Sequence, residues 1–197
     1  GTSLAIHKEW FITIADNALG INKSERARLD TVNKSSAIAR AIRDLHPLLS
    51  GEIGSRSPKD PRVDERNNQA KKASDSIYSL DNIRNVVKNI AFSPALKESA
   101  KRERSTQEES ATKQGMKFFD ILSDEVEQVK NLLPTAKGDY TGRDFRKETL
   151  YSSPTILRSL AGAYHNLALK VIDDPKAQGM TTLQVDEDGV KKFIQLI

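Results

Sequence analysis

The sequence has no cysteine among its 197 residues. This absence excludes disulfide bonds, thiolate nucleophiles, and zinc or iron–sulfur sites built on cysteine. Histidine is scarce as well, and three scattered residues, His7, His46 and His165, argue against a metal cage made of imidazoles. We therefore expect neither a bound metal nor another cofactor.

Long apolar runs are also missing. No stretch approaches the roughly 18 apolar residues that a membrane-spanning helix needs, and no basic segment followed by an apolar one opens the chain as a signal peptide would. The sequence thus predicts a cytoplasmic protein with no membrane partner. Gly1 in place of methionine indicates that the N-terminus was processed, carries a tag, or was cut from a longer chain.

The common catalytic motifs are absent too. The sequence contains no P-loop, no GxGxxG and no HExxH. The segment 185–189 resembles a calcium loop only superficially, because Gln184 and Gln195 occupy the positions of the first and last carboxylates, so we interpret it as a helix start. His165 lies beside an apolar helical stripe without a partner nucleophile, which favours a structural role. We predict that this chain is not an enzyme, and we leave open the activity of a longer protein that contains it.

Apolar side chains recur at helical spacing through much of the chain, and hydrophobic residues make up 37% of it, enough for a core. The widest apolar stripe follows Ser153 and Pro154 and is typical of the middle of a bundle. We predict an all-α fold, an irregular bundle of about six or seven helices that forms a single domain over residues 1–197, with the 156–172 helix at its centre. The other predicted helices lie around residues 4–19, 38–49, 80–90, 118–133 and 187–197.

Two details of these helices are predicted from capping and breaking residues. Ser35 or Ser36 is expected to cap the second helix, and Pro47 to end or kink it. One short piece, residues 183–185, is the best candidate for a strand.

Two polar excursions interrupt the helices. Residues 51–76 contain two prolines and few large aliphatic side chains, which predicts a long surface loop. Residues 97–115 are nearly devoid of large apolar groups. This second stretch is either an exposed helix, supported by Glu98 and Arg102 at a spacing of four, or disordered.

Basic residues cluster in two places, although the net charge of +4 is too small to make the whole chain a polycation. Such clusters can neutralise phosphates, which would make binding strongly dependent on salt, or they can be ordinary solvated helix faces. No aromatic residue is interleaved with them, which favours the backbone of duplex DNA over stacking on a single strand. The predicted DNA-binding residues are Arg26, Arg28, Lys34, Arg40 and Arg43 in the first group and Lys97, Lys101, Arg102 and Arg104 in the second.

An apolar stripe at the end of the chain suggests a different function. Its residues, Val190, Phe193, Ile194 and Ile197, follow the spacing of one helix face. If this face is exposed, it marks a surface for a partner protein or a second copy. The alternative prediction is therefore a helical protein-interaction or oligomerisation module that does not bind nucleic acid.

Several spaced residues between positions 10 and 170 resemble a known family. They are Asp16 to Leu19, Ala27 to Asp30 with Asn33, Ser76 to Leu80, Phe118 and Phe119, Arg146, Tyr151, and a long helix through Leu157 and Leu160. This order is similar to the C-terminal helical part of DGQHR-domain proteins. The motif that gives the family its name is absent, so the resemblance implies either a C-terminal fragment of a longer protein or a divergent member.

The resemblance also implies a biological setting. It points to a bacterial DNA sulfur-modification (phosphorothioation) or related defence system, in which the protein would be a DNA-binding regulator of transcription of the modification genes. Asp30 and Asn33 match the family pattern without an assigned chemical role. Any activity that depends on the missing motif does not carry over.

Overall fold

The computed structural model describes residues 22–50, 62–70, 74–92, 106–136, 139–173 and 179–197. These residues form a mostly helical protein with short strands, which confirms the predicted all-α irregular bundle. The first predicted helix, at 4–19, lies outside the described residues. The helices are α1 (Lys23–Leu29), α2 (Lys34–Leu45), α3 (Pro47–Ser50), α4 (Leu80–Phe92), α5 (Glu108–Glu125), α6 (Glu127–Lys130), α7 (Gly142–Glu148), α8 (Pro154–Ala168) and α9 (Glu187–Ile194), with a 3-10 turn at Leu150–Ser152.

Two pairs of short strands accompany these helices. The strands β1 (Val63–Asp64) and β2 (Tyr78–Ser79) pair in parallel, with Val63 opposite Tyr78. The strands β3 (Leu169–Asp173) and β4 (Thr181–Val185) form an antiparallel ribbon, with Leu169 opposite Val185. No helix in the described part of the chain is long and apolar enough to cross a bilayer.

The core is built around packed aromatic rings. The ring centroid of Phe118 lies 5.3 Å from that of Phe119, 5.7 Å from that of Tyr164 and 6.1 Å from that of Phe193. All four side chains are fully buried. Helix α8, which carries Tyr164, packs against both α4 and α9. The predicted central helix is therefore central in the fold, because its wide apolar stripe requires neighbours on more than one side.

This central helix ends earlier than the periodicity indicates. It stops at Ala168, whose carbonyl oxygen accepts a hydrogen bond of 2.8 Å from the backbone N–H of Asp186. The chain then continues as β3, in which Val171 is 49% exposed, so the predicted helix was wrong for residues 169–172. Pairing with β4 decides the conformation here, since β-branched residues fit a strand better than a helix. The short strand predicted at 183–185 is part of β4.

The start of α2 differs from the prediction, whereas its end just before Pro47 agrees with it. The side chain of Asn33 caps α2 by accepting a hydrogen bond of 3.0 Å from the N–H of Ser35. Ser35 and Ser36 are buried in the first turn of α2 and do not cap it. Helix α2 ends at Leu45, and Pro47 opens the next short helix, because a missing N–H costs nothing at a first helical position.

The polar stretch at 97–115 is helical from Glu108 onward, and it is not an excursion there. Gln114 and Gly115 of α5 are buried, and a Cβ at Gly115 would press on the side chain of Ile42 in α2. Gln114 donates a hydrogen bond of 3.3 Å to the carbonyl of Leu183 and accepts one of 3.1 Å from the hydroxyl of Tyr164. Small and hydrogen-bonded side chains thus occupy a core position that hydropathy does not reveal.

The loop predicted at 51–76 is also partly buried. Its described residues include β1, where Val63 and Asp64 are both buried against the rest of the fold. The guanidinium group of Arg62 donates a hydrogen bond of 3.2 Å to the carbonyl of Leu132. This part of the chain is therefore tied to the bundle at Arg62, Val63 and Asp64.

The C-terminal apolar stripe faces the interior. Phe193 of α9 is completely buried, and Val190, Ile194 and Ile197 pack against the same core while partly buried. The hydroxyl of Tyr151 donates a hydrogen bond of 2.7 Å to the carbonyl of Ile197. The predicted oligomerisation face is thus not an outward surface, because the chain folds it onto its own core.

Candidate nucleic-acid interface

Arg40 belongs to the first predicted DNA-binding group, but its guanidinium group points to the backbone. The Nη1 atom donates hydrogen bonds of 2.5 Å to the carbonyl of Ala27 and 2.7 Å to the carbonyl of Asp30. Both carbonyls lie at the C-terminal end of α1, where main-chain acceptors lack partners within the helix. Burial lowers the pKa of Arg40, and the charge of Asp30 opposes this effect. Arg40 therefore joins α2 to the end of α1.

Arg43 is likewise paired within the protein. It donates a hydrogen bond of 2.7 Å from Nε to Asp44 and forms an ion pair through Nη1 with Glu65, and its side chain is only 18% exposed. Burial alone would lower the pKa of Arg43, but hydrogen bonds and charges from the two carboxylates outweigh burial and raise it. Arg40 and Arg43 are therefore engaged by partners within the protein, which argues against the prediction that they line an outward DNA-binding face.

The other residues of that group occupy different environments. Arg28 lies 3.6 Å from Glu25 on the exposed side of α1, and Lys34 reaches the carbonyl of Thr106 at 3.4 Å. Arg26 lines a groove on the surface. The second predicted group, Lys97, Lys101, Arg102 and Arg104, lies outside the described residues and stays a prediction.

The groove lined by Arg26 has a volume of about 370 Å³ and is strongly basic. It lies where helices α1, α4 and α8 meet, so residues far apart in the sequence contribute to one wall. Five cationic side chains line it, together with two carboxylates and two asparagines. The cations are Lys23 and Arg26 from α1, Arg84 and Lys88 from α4, and Arg158 from α8.

The two carboxylates of the groove have partners inside the protein. Asp81 forms an ion pair of 2.5 Å with Arg84, and their side chains are only 9% and 12% exposed. Asp30 accepts hydrogen bonds from the backbone N–H groups of Val32 at 3.1 Å and Asn33 at 3.0 Å. Asp30 and Asn33, which had no assigned role, thus shape the link between α1 and α2. The groove keeps an excess of positive charge after these carboxylates are counted.

The excess positive charge of the groove comes mainly from Lys23, Lys88 and Arg158. Within the described residues, Lys23 and Lys88 form no ion pair with a carboxylate. Arg158 donates from Nε to the carbonyl of Pro154 at 3.1 Å, which orients its guanidinium group without neutralising it. Three positive charges from three helices therefore remain available to an anion in the groove.

A second compartment, which no carboxylate lines, adjoins the groove. It has a volume of about 390 Å³, lies between α4 and α8, and shares Asn85, Lys88 and Arg158 with the groove. Its remaining polar residues are Asn89, Thr155 and Ser159. Asn85 and Asn89 are one helical turn apart on α4, as are Thr155 and Ser159 on α8, so each pair shares a helix face.

The two described histidines have structural partners. His165 is buried, and its Nδ1 lies 2.6 Å from the carbonyl of Ile90, to which it donates. His46 is buried too; its Nδ1 accepts from the N–H of Leu48 at 3.1 Å, so Nε2 carries the proton and donates to Asp120 at 3.1 Å. Burial lowers the pKa of His46, although Asp120 acts in the opposite direction.

The described residues contain no candidate metal centre. Those residues contain no group of three or more histidine, aspartate or glutamate side chains that could hold a metal ion. Asp186, the predicted cap, is the N-cap residue of α9, but its side chain pairs with Lys170 at 3.0 Å and makes no capping hydrogen bond. Hydrogen bonding from Lys170 lowers the pKa of Asp186.

Four of the five groove cations were missed from the sequence: Lys23, Arg84, Lys88 and Arg158. Arg84 and Lys88 are separated by one turn of α4, which is a detectable but weak signal. Arg158 is the one arginine or lysine of α8, and only the packing of α8 against α4 places it in the groove. Clustering along the chain identifies local groups, whereas this groove is assembled from three separate helices.

Comparison with known proteins adds no family to this picture. No protein-family model, no curated protein and no solved structure matches the chain. The resemblance to DGQHR-domain proteins therefore stays a prediction from the sequence.

Proposed function

We propose that this chain is a non-catalytic, DNA-binding regulatory domain that holds the phosphate backbone of duplex DNA against the basic groove. The observation that carries the proposal is the convergence of Lys23, Arg26, Lys88 and Arg158 on one groove. The setting in a bacterial DNA sulfur-modification or related defence system is part of the proposal and rests on the family resemblance alone.

The charge distribution of the groove supports a polyanionic ligand. Duplex DNA carries one negative charge per roughly 1.7 Å of its axis, so several cations along a groove can each contact a phosphate. Asp30 and Asp81 also line the groove, but both hydrogen-bond to protein groups, and the five cations outnumber them. Backbone contacts of this kind position a protein on DNA without reading its sequence.

The structure changes which residues we assign to the contact. Arg26 stays from the first predicted group, and Lys23, Lys88 and Arg158 replace Arg40 and Arg43. Reversing the charge of Arg40 or Arg43 would damage internal contacts, so it would not report on DNA. The second predicted group stays part of the proposal on the basis of the sequence alone.

The test is a salt series of duplex DNA binding measured by fluorescence anisotropy. The variant Lys88→Glu with Arg158→Glu should lose about tenfold or more in affinity at low salt, because two phosphate contacts become repulsive. The matched control is Lys130→Glu with Lys192→Glu, which changes the net charge equally at two exposed lysines away from the groove. The control should retain most of the affinity.

Two results would contradict the proposal. The first is an absence of duplex binding at low salt, or an affinity that stays constant as salt rises, since phosphate contacts release counterions. The second is an equal loss of affinity in both double variants, which would assign binding to net charge and not to the groove.

A further inference from the structure

The compartment next to the groove is an open polar depression with the volume of a small ligand site. Its volume, about 390 Å³, falls within the range of roughly 300 to 1,000 Å³ that is usual for such sites. Its polar lining consists of two amides and two hydroxyls, and it reaches the groove through Lys88 and Arg158. A ligand there would therefore be polar and uncharged in one part and joined to an anionic part.

Some hydrogen-bonding groups of the compartment already bind partners in the protein, and others are free to bind a ligand. Asn85 donates from Nδ2 to Asp81 at 3.1 Å, and Asn89 donates from Nδ2 to the carbonyl of Arg158 at 2.9 Å. Each amide thus retains its carbonyl oxygen as an acceptor. Within the described residues, the hydroxyls of Thr155 and Ser159 have no protein hydrogen-bond partner. The compartment consequently offers acceptors on α4 facing hydroxyl donors on α8.

We propose that this compartment accepts one unpaired nucleotide of a DNA whose phosphate backbone lies in the groove. This inference rests on the proposed function. A base in a duplex has its Watson–Crick edge occupied, whereas an unpaired or extruded base presents free donors and acceptors. The phosphate of such a nucleotide would meet Lys88 and Arg158, while its base or sugar would meet Asn85, Asn89, Thr155 and Ser159.

Hydrogen bonding, and not stacking, would hold the nucleotide. None of the seven residues that line the compartment is aromatic. Stacking on an aromatic ring is the usual way in which proteins bind long single strands without sequence preference. The compartment therefore fits a single unpaired nucleotide beside a duplex better than an extended single strand.

The experiment compares two DNA probes that differ at one position. One is a blunt duplex, and the other is the same duplex with a single unpaired nucleotide in its centre. Wild-type protein should bind the second probe about tenfold more tightly, as two additional hydrogen bonds would give. The variant Thr155→Val with Ser159→Ala should lose this preference while keeping its affinity for the blunt duplex, because its charge is unchanged.

Controls separate this inference from the proposed function. Both altered side chains are on or near the surface, and thermal unfolding verifies that the double variant folds. Thr135→Val, an exposed threonine outside the groove, should keep the preference. A double variant that still prefers the unpaired probe would overturn the inference, since the preference would then come from the flexibility of the DNA.

The remaining outcomes are also decisive. Equal affinity of wild-type protein for both probes would overturn the inference and leave duplex binding intact. Absence of binding to either probe would overturn the proposed function itself, and with it the occupant proposed for the compartment.

Discussion

Two sets of basic side chains in this protein have opposite surroundings. Arg40 and Arg146 donate to main-chain carbonyls, Arg40 at the end of α1 and Arg146 to Ser76 and, at 2.7 Å, to Ser74. Lys88 and Arg158 instead line an open groove. The first set is two arginines and the second a lysine and an arginine, and neither set stands out in the sequence.

The difference shows when a basic side chain is free to bind an anion from outside the protein. An arginine with several donors can satisfy carbonyls that a helix end or a loop leaves without partners, and it then becomes part of the scaffold. Lys88 of α4 has no such acceptor among the described residues, so its charge faces the groove. The number of nearby positive charges in the sequence does not distinguish these cases.

Replacing Arg40 should have the largest effect on stability. Arg40→Met removes two charge-assisted hydrogen bonds to the carbonyls of Ala27 and Asp30, and we expect the free energy of unfolding to fall by about 2 to 3 kcal/mol. The measurement is denaturant unfolding followed by circular dichroism. Arg28→Met is the matched control, since Arg28 has one exposed partner at 3.6 Å, and it should change stability by under about 0.5 kcal/mol. Equal losses in the two variants would contradict the comparison.

Acidification should lower the stability of the fold without changing the positive charge of the groove. Burial lowers the pKa of His46 below its ordinary value of 6.5, so the unfolded chain binds this proton more tightly than the folded protein. Stability from this group is therefore complete above pH 6.5 and is lost as the pH falls through the lowered pKa. Lysine and arginine keep their charge throughout this range, so the groove itself should not change.

Thermal unfolding at pH 7 and pH 5 measures the effect. The midpoint of wild-type protein should fall between these values, and His46→Gln should reduce that fall because glutamine retains a donor for Asp120 but does not titrate. DNA affinity of the folded protein should stay the same at both pH values. A fall in the midpoint that is identical in both proteins would assign the pH dependence to other groups.

Replacing Lys88 should have the smallest effect on stability and a specific effect on binding. Lys88→Met should change the free energy of unfolding by less than about 0.5 kcal/mol, as is usual for a surface substitution. The slope of log affinity against log salt should become shallower by about 0.9, which corresponds to one lost phosphate contact. Arg40→Met, measured at a temperature where it is folded, should keep the wild-type slope. If Arg40→Met alters the slope and Lys88→Met does not, the assignment of the two sets is reversed.

Much of the fold was predictable from local patterns. Apolar residues at helical spacing identified the segments that became α2, α4, α8 and α9, because a helix in a bundle must bury one stripe. The prediction was wrong where tertiary contacts outweigh that pattern. Residues 169–172 continue the apolar stripe of α8 but pair with β4, and residues 108–115 lack the stripe but lie in α5.

The candidate site was much less predictable. Arg26 was identified, but Arg40 and Arg43 were assigned to the surface because neither Glu65 nor the end of α1 is adjacent to them in a way that periodicity reveals. Arg158 was missed, since a single arginine on its helix is not a cluster. Partners that lie 10 to 22 residues away in the chain carry no local signal.

The sequence by itself determined that this chain is helical, because hydrophobic spacing and caps act over one or two turns and need no distant partner. It also determined that cysteine chemistry is absent. Only the tertiary structure decided which cations face solvent and which are buried against carbonyls. The physical reason is that a charge takes its role from the groups within a few ångströms of it, and packing of α1, α4 and α8 chooses those groups.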